Sequence, residues 1–155
     1  MEDVATKETL DLFNDLIRVN NDRIAAYMKA LEALKPEDAD LNILFVRNID
    51  QSRRFRRVLV TELQALGGDL DIDDSLGGSI YKMWANVTPV AENHSRRAIL
   101  AGCIFGEDTA QKAYETALES PHLPLHMATT LFEEKQLMEI ARDQVRVLRD
   151  HVSPA

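Results

Sequence analysis

Between residues 6 and 34, Phe13, Leu16, Ile17, Ile24, Tyr27, Leu31 and Leu34 fall on one helical face, with charged residues between them. This is the spacing of an amphipathic helix with one apolar stripe. Lys35-Pro36-Glu37-Asp38 interrupts the run and starts another: proline fits a first helical turn, and acids there complement the positive end of the helix dipole. A second helix is predicted over 37–66 through Leu41, Leu44, Phe55, Leu59, Leu63 and Leu66, closed by Gly67-Gly68. A long connection follows from Asp69 to Glu92, in which 79–86 predicts a short helix ahead of Pro89. The third helix, over 93–119, takes Asn93 as its N-cap and runs through Leu100, Cys103, Glu107, Ala110, Tyr114 and Leu118. Ser120-Pro121-His122-Leu123-Pro124 separates it from a fourth over 124–150, with Leu131, Met138, Val145 and Leu148 inward. No segment alternates apolar and polar residues as a strand does. Helices joined short, long, short predict an all-α four-helix bundle in one domain spanning 1–155: two antiparallel hairpins linked by a crossover.

Charge and composition narrow the partners. Eighteen basic against 26 acidic residues leave a net charge of −8, which repels polyanions and argues against nucleic-acid binding. A single cysteine makes no internal disulfide. The opening MEDVATKETL lacks the apolar run of a signal peptide, and no stretch approaches a membrane span. The expectation is a cytoplasmic protein without a membrane partner.

The two halves echo one another. Asn20 is followed seven residues later by Tyr27, and Glu107 seven residues later by Tyr114, at an offset of 87; Gln51-x-x-Arg54 and Glu139-x-x-Arg142 repeat at an offset of 88. Matched pairs at nearly one offset predict two related helical hairpins. The pattern resembles the ferritin-like superfamily, whose di-iron members carry one Glu on each of two helices and Glu-x-x-His on the other two. The phrases NNDRIAAY, QSRRFRRVL, GEDTAQKAYETAL and VRVLRD are similar to those of a bacterial family of ferritin-like four-helix proteins described as domains of unknown function. The resemblance runs from Leu10 to Asp150 and implies a ferritin-like fold.

Against the di-iron pattern, only Glu107 keeps a carboxylate with its tyrosine. Asn20 stands at the matching position of the first helix, and arginines 54 and 142 stand where histidines would ligate. A guanidinium remains protonated and cannot bind a metal. The expected site is therefore a polar cluster in place of the metal: Asn20, Tyr27, Gln51, Arg54, Glu107, Tyr114, Glu139 and Arg142. Should iron or manganese bind, Glu107 and Glu139 are the ligands expected. If Met138 faces the core, however, Glu139 sits about 100° around the helix, toward its flank.

Other residues have ordinary readings. Asp69, Asp71, Asp73 and Asp74 resemble the start of a calcium loop but lack its glycine and closing glutamate. His122 and His126 bracket Pro124, a poor frame for zinc. Cys103 reads as a core thiol, and Tyr81, Met83 and Trp84 as a cover for the bundle or an oligomer surface. Arg53, Arg54, Arg56 and Arg57 form the densest basic run, for which pairing with the acidic excess is expected and phosphate binding is the alternative. Together these readings predict a non-catalytic structural or interaction protein, a homo-oligomer with a dimer favoured, that has lost a di-iron site. The alternative is a metal-binding carboxylate protein with oxidase or storage activity.

Overall fold

The computed structural model describes residues 6–70 and 95–151. The short helix expected at 79–86, Asp71, Asp73 and Asp74, the patch of Tyr81, Met83 and Trp84, and the expected cap Asn93 lie outside the described residues. Four long helices make up what is described, and it contains no strand.

Helix α1 (Lys7–Glu32) is capped by Thr6, whose hydroxyl oxygen accepts from the Thr9 amide at 3.1 Å. A 3-10 turn over Pro36–Asp38 leads into α2 (Ala39–Ala65), and the Asp38 carboxylate accepts from the Lys35 amide at 3.1 Å. Gly67 closes α2 in a left-handed conformation, φ 83°, which a side chain would strain. The Gly67 and Gly68 amides then satisfy the last-turn carbonyls of Gln64 and Leu63. Helix α3 (Arg96–Glu119) begins three residues later than the sequence predicts, because Ser95 provides the cap. Helix α4 (Leu125–Asp150) follows the Pro124 break.

Side-chain contacts fix the helix directions. Asn20 meets Tyr114 and Arg23 meets Glu107, so residue numbers rise along α1 as they fall along α3. Arg96 at the start of α3 reaches Asp40 at the start of α2 at 2.6 Å. At the opposite end, His126 at the start of α4 meets Glu62 near the end of α2 at 2.8 Å. Helices α2 and α3 therefore run in the same direction.

Every helix presents an inward seam spaced alternately three and four residues apart: Phe13, Leu16, Asn20, Arg23 and Tyr27 on α1; Phe45, Asn48, Ser52, Phe55 and Leu59 on α2; Leu100, Cys103, Glu107, Ala110 and Tyr114 on α3; Met127, Leu131, Glu134, Met138 and Ala141 on α4. This is the two-in-seven pattern of packed bundle helices. Two apolar clusters result, one around Phe13, Leu59 and Leu131, the other around Tyr27, Phe45 and Leu100. The polar seam residues lie between them. No helix among the described residues is long and apolar enough to cross a membrane.

Candidate functional site

The middle of the bundle is charged. Arg23 on α1 is 2% exposed and Glu107 on α3 is 0% exposed, and charged groups buried this deeply require partners. The guanidinium donates from Nε to Glu107 Oε1 and from Nη2 to Oε2, both at 2.9 Å. This two-pronged geometry is the strongest available to an arginine and a carboxylate. Its third nitrogen, Nη1, donates to Ser52 Oγ at 2.8 Å and to the Asn48 carbonyl at 3.3 Å, drawing α2 into the same network. Tyr27 donates to Glu107 Oε2 at 2.5 Å, and its ring lies 5.6 Å from the Arg23 guanidinium carbon.

A second chain of bonds adjoins the first. Asn20 Nδ2 donates to the Tyr114 hydroxyl at 2.9 Å, and Tyr114 donates to Glu134 Oε1 on α4 at 2.8 Å. The sequence echo thus closes on itself: each tyrosine bonds the polar residue that stands seven places before the other.

Electrostatics keeps these groups in set protonation states. Burial is the strongest single influence on Arg23 and lowers its pKa, but the Glu107 charge, the Tyr27 hydroxyl and the Glu107 hydrogen bond together outweigh it and the net shift is upward. Burial, reinforced by the nearby carboxylates, holds both phenols well above their ordinary range, so both remain donors. Burial also raises the Cys103 thiol, with help from Glu107, and leaves it an inert core group. Among the described residues Glu134 has no cationic partner; burial pushes its carboxyl up to about 7 against the opposing effect of the Tyr114 hydrogen bond.

Four of the eight residues expected in the cluster meet there: Asn20, Tyr27, Glu107 and Tyr114. Arg54 is exposed, one position from the inward Phe55. Glu139 is on the flank, with a side chain 46% exposed and 3.8 Å from Lys135. Arg142 points to Asp108 and Asp143 at the surface. Gln51 is half-buried beside Ser52, with its Oε1 lacking a hydrogen-bond partner. One residue of helix is about 100° of rotation, and each of the four is next to a true seam position. The cation beside Glu107 is Arg23, and the buried carboxylate of α4 is Glu134. Both were visible as polar residues on the apolar stripe: Leu16, Asn20, Arg23, Tyr27 on one helix and Leu131, Glu134, Met138 on the other.

The donor set does not fit a di-iron centre. Both Glu107 oxygens are occupied by Arg23 and Tyr27, no histidine occupies a seam position, and the opposing side chains of α1 and α2 are Asn20, Asn48 and Ser52. Among the described residues no group of three or more His, Cys, Asp or Glu could hold a metal ion. The outlying histidine His126 is engaged with Glu62.

A family model matches residues 8–120, which cover most of the chain. The chain belongs to the domain of unknown function DUF2383. The DUF2383 match spans α1, α2 and α3, and so the whole Arg23–Glu107 network, but stops before α4 and Glu134. No curated protein matches the chain.

Removing one member of the buried pair strands the other. Arg23→Met or Glu107→Gln alone is expected to cost about 3–5 kcal/mol in urea denaturation, and the double replacement Arg23→Met with Glu107→Leu much less than the sum. Glu134 predicts a pH dependence. Its folded pKa of about 7 exceeds the ordinary 4.5, so the folded state holds the proton longer and stability falls as pH rises from about 4.5 to about 7, by about 3 kcal/mol, then levels. Asp22, raised to about 7 by burial, adds a parallel slope. The difference between wild type and Glu134→Gln in urea midpoints over this range isolates the Glu134 part.

Proposed function

We propose that this chain is a ferritin-like four-helix bundle in which an internal ion pair stands where relatives of that fold bind iron, and that it acts as a non-catalytic structural or interaction protein. One observation carries this reading: the Arg23 guanidinium occupies both oxygens of Glu107 at the centre of the bundle. A metal ion there would face a fixed positive charge in a low-dielectric core. The parallel run of α2 and α3 supports the ferritin-like assignment, since a connection between such helices must return along the bundle. The inert environment of Cys103 and the protonated tyrosines leave no evident nucleophile in the core.

The interaction half of the reading rests on the outward side of α4. Leu125, Phe132, Leu137, Ile140 and Val147 remain exposed there, five of the eleven large apolar side chains exposed among the described residues. Concentration on one helix distinguishes this face from scattered surface apolar residues, and such faces serve association. A second copy of the chain is the proposed occupant, giving a homodimer.

The test is metal content after purification without chelator, with Fe²⁺ and Mn²⁺ titration of wild type and Glu107→Ala, and mass by light scattering. The expected result is no stoichiometric metal in either protein, and a dimer that Phe132→Glu with Ile140→Glu converts to monomer. Stoichiometric metal that disappears with Glu107→Ala would overturn the non-catalytic reading and favour an iron or manganese carboxylate protein.

A further inference from the structure

We propose that the groove between α1 and α2, on the side away from the buried network, binds a small organic phosphate. The groove encloses about 450 Å³, within the range of small-molecule sites. Its α2 wall carries Arg53, Arg56, Arg57 and Val60, at helix positions i, i+3, i+4 and i+7. That is the spacing of a single helix face, and three like charges within one turn repel one another.

Among the described residues, two of the three groove arginines, Arg56 and Arg57, have no carboxylate partner, although the acidic composition predicts pairing. Several arginines elsewhere are taken up by carboxylates: Arg96 by Asp38 and Asp40, Arg142 by Asp108 and Asp143, Arg149 by Asp150. In the groove, Arg53 pairs with Asp50 on its own helix at 3.5 Å. Arg56 donates from Nε to the neutral Asn21 Oδ1 at 2.7 Å, and Arg57 has no carboxylate partner among the described residues. The Asn21 contact uses the inner edge of the Arg56 guanidinium and holds it in place, which leaves the two terminal amino groups for a ligand.

Chemistry selects the ligand class. A single carboxylate would offset one of the two cations that lack a carboxylate, whereas a phosphate monoester brings close to two negative charges and three acceptor oxygens that match guanidinium forks. Ile24 and Val60 form an apolar lining beside the arginines, suited to a carbon body attached to the phosphate. Thr61 turns its hydroxyl onto the Arg57 carbonyl at 2.9 Å, so the arginines supply the donors. An extended nucleic acid is disfavoured, because the cationic face covers about one helical turn of a chain with net charge −8.

Calorimetric titration of the full chain with inorganic phosphate, phenyl phosphate and a Glu-rich peptide, at about 20 mM and about 200 mM salt, tests the assignment. Phenyl phosphate should bind more tightly than inorganic phosphate and weaken several-fold at the higher salt. Arg56→Gln with Arg57→Gln should weaken it about tenfold or more, with the circular dichroism spectrum unchanged, while Arg54→Gln, outside the groove, should leave it within about twofold. Absence of phosphate binding, or equal loss in Arg54→Gln, would overturn the site. Inorganic phosphate binding as tightly as phenyl phosphate would overturn the organic ligand, and tighter binding of the Glu-rich peptide would replace it with an acidic protein partner.

Discussion

The bundle is organised around one buried ion pair. Arg23 and Glu107 are both withdrawn from water, and neither could remain in the core without the other. Their two parallel hydrogen bonds tie α1 to α3, and the remaining nitrogen of Arg23 ties both to α2 through Ser52 and Asn48. Such a pair adds little net stability over a well-packed apolar pair; its effect lies in excluding alternatives. The three-four spacing of apolar positions would tolerate sliding α3 by seven residues, yet that slide puts Leu100 or Tyr114 opposite Arg23 and leaves a buried cation unpaired. The polar layer between two apolar clusters thereby sets the register that hydrophobic packing alone leaves open.

The same layer is reciprocal in its contacts but not in its charge. Tyr27 reaches Glu107 and Tyr114 meets Asn20, a reciprocal arrangement about the contact between α1 and α3. The two halves differ in charge, because Glu107 has an arginine partner and Asn20 needs none. Glu134, beyond Tyr114, is bonded to a neutral donor and has no cationic partner among the described residues, and burial raises its affinity for a proton.

Helix positions were legible in the sequence because apolar periodicity and breakers such as Pro36, Gly67 and Pro124 act locally. The site was legible only in part. Asn20, Tyr27, Glu107 and Tyr114 share an offset of 87 that the seams of α1 and α3 also share. For α2 and α4, the seams match instead at an offset of 86, pairing Phe45 with Leu131, Asn48 with Glu134 and Ser52 with Met138. The Gln51-x-x-Arg54 and Glu139-x-x-Arg142 echo, offset by 88, follows the wrong face, and a slip of this size moves side chains from seam to flank. Arg23 escaped notice for a different reason. A charged residue between apolar ones reads as solvent-facing until its own spacing, four after Val19, three after Asn20 and four before Tyr27, places it on the stripe.

That spacing also bears on why the centre is not simply a metal site blocked by one residue. Deleting the Arg23 charge would free Glu107, but the nearest seam neighbours would still be Asn20, Ser52 and Asn48, and the second carboxylate belongs to the separate Tyr114 branch. A dinuclear centre needs carboxylates or imidazoles from all four helices, and the α1 and α2 seams offer neither: their polar members are Asn20, Arg23, Tyr27, Asn48 and Ser52. The amides and the hydroxyl suit the present occupant instead: Ser52 and the Asn48 carbonyl accept from the guanidinium, and Asn20 donates to the tyrosine that caps Glu134. The surrounding shell is matched to an arginine, so the ion pair is an integrated part of this bundle rather than a single substitution within an otherwise intact metal centre.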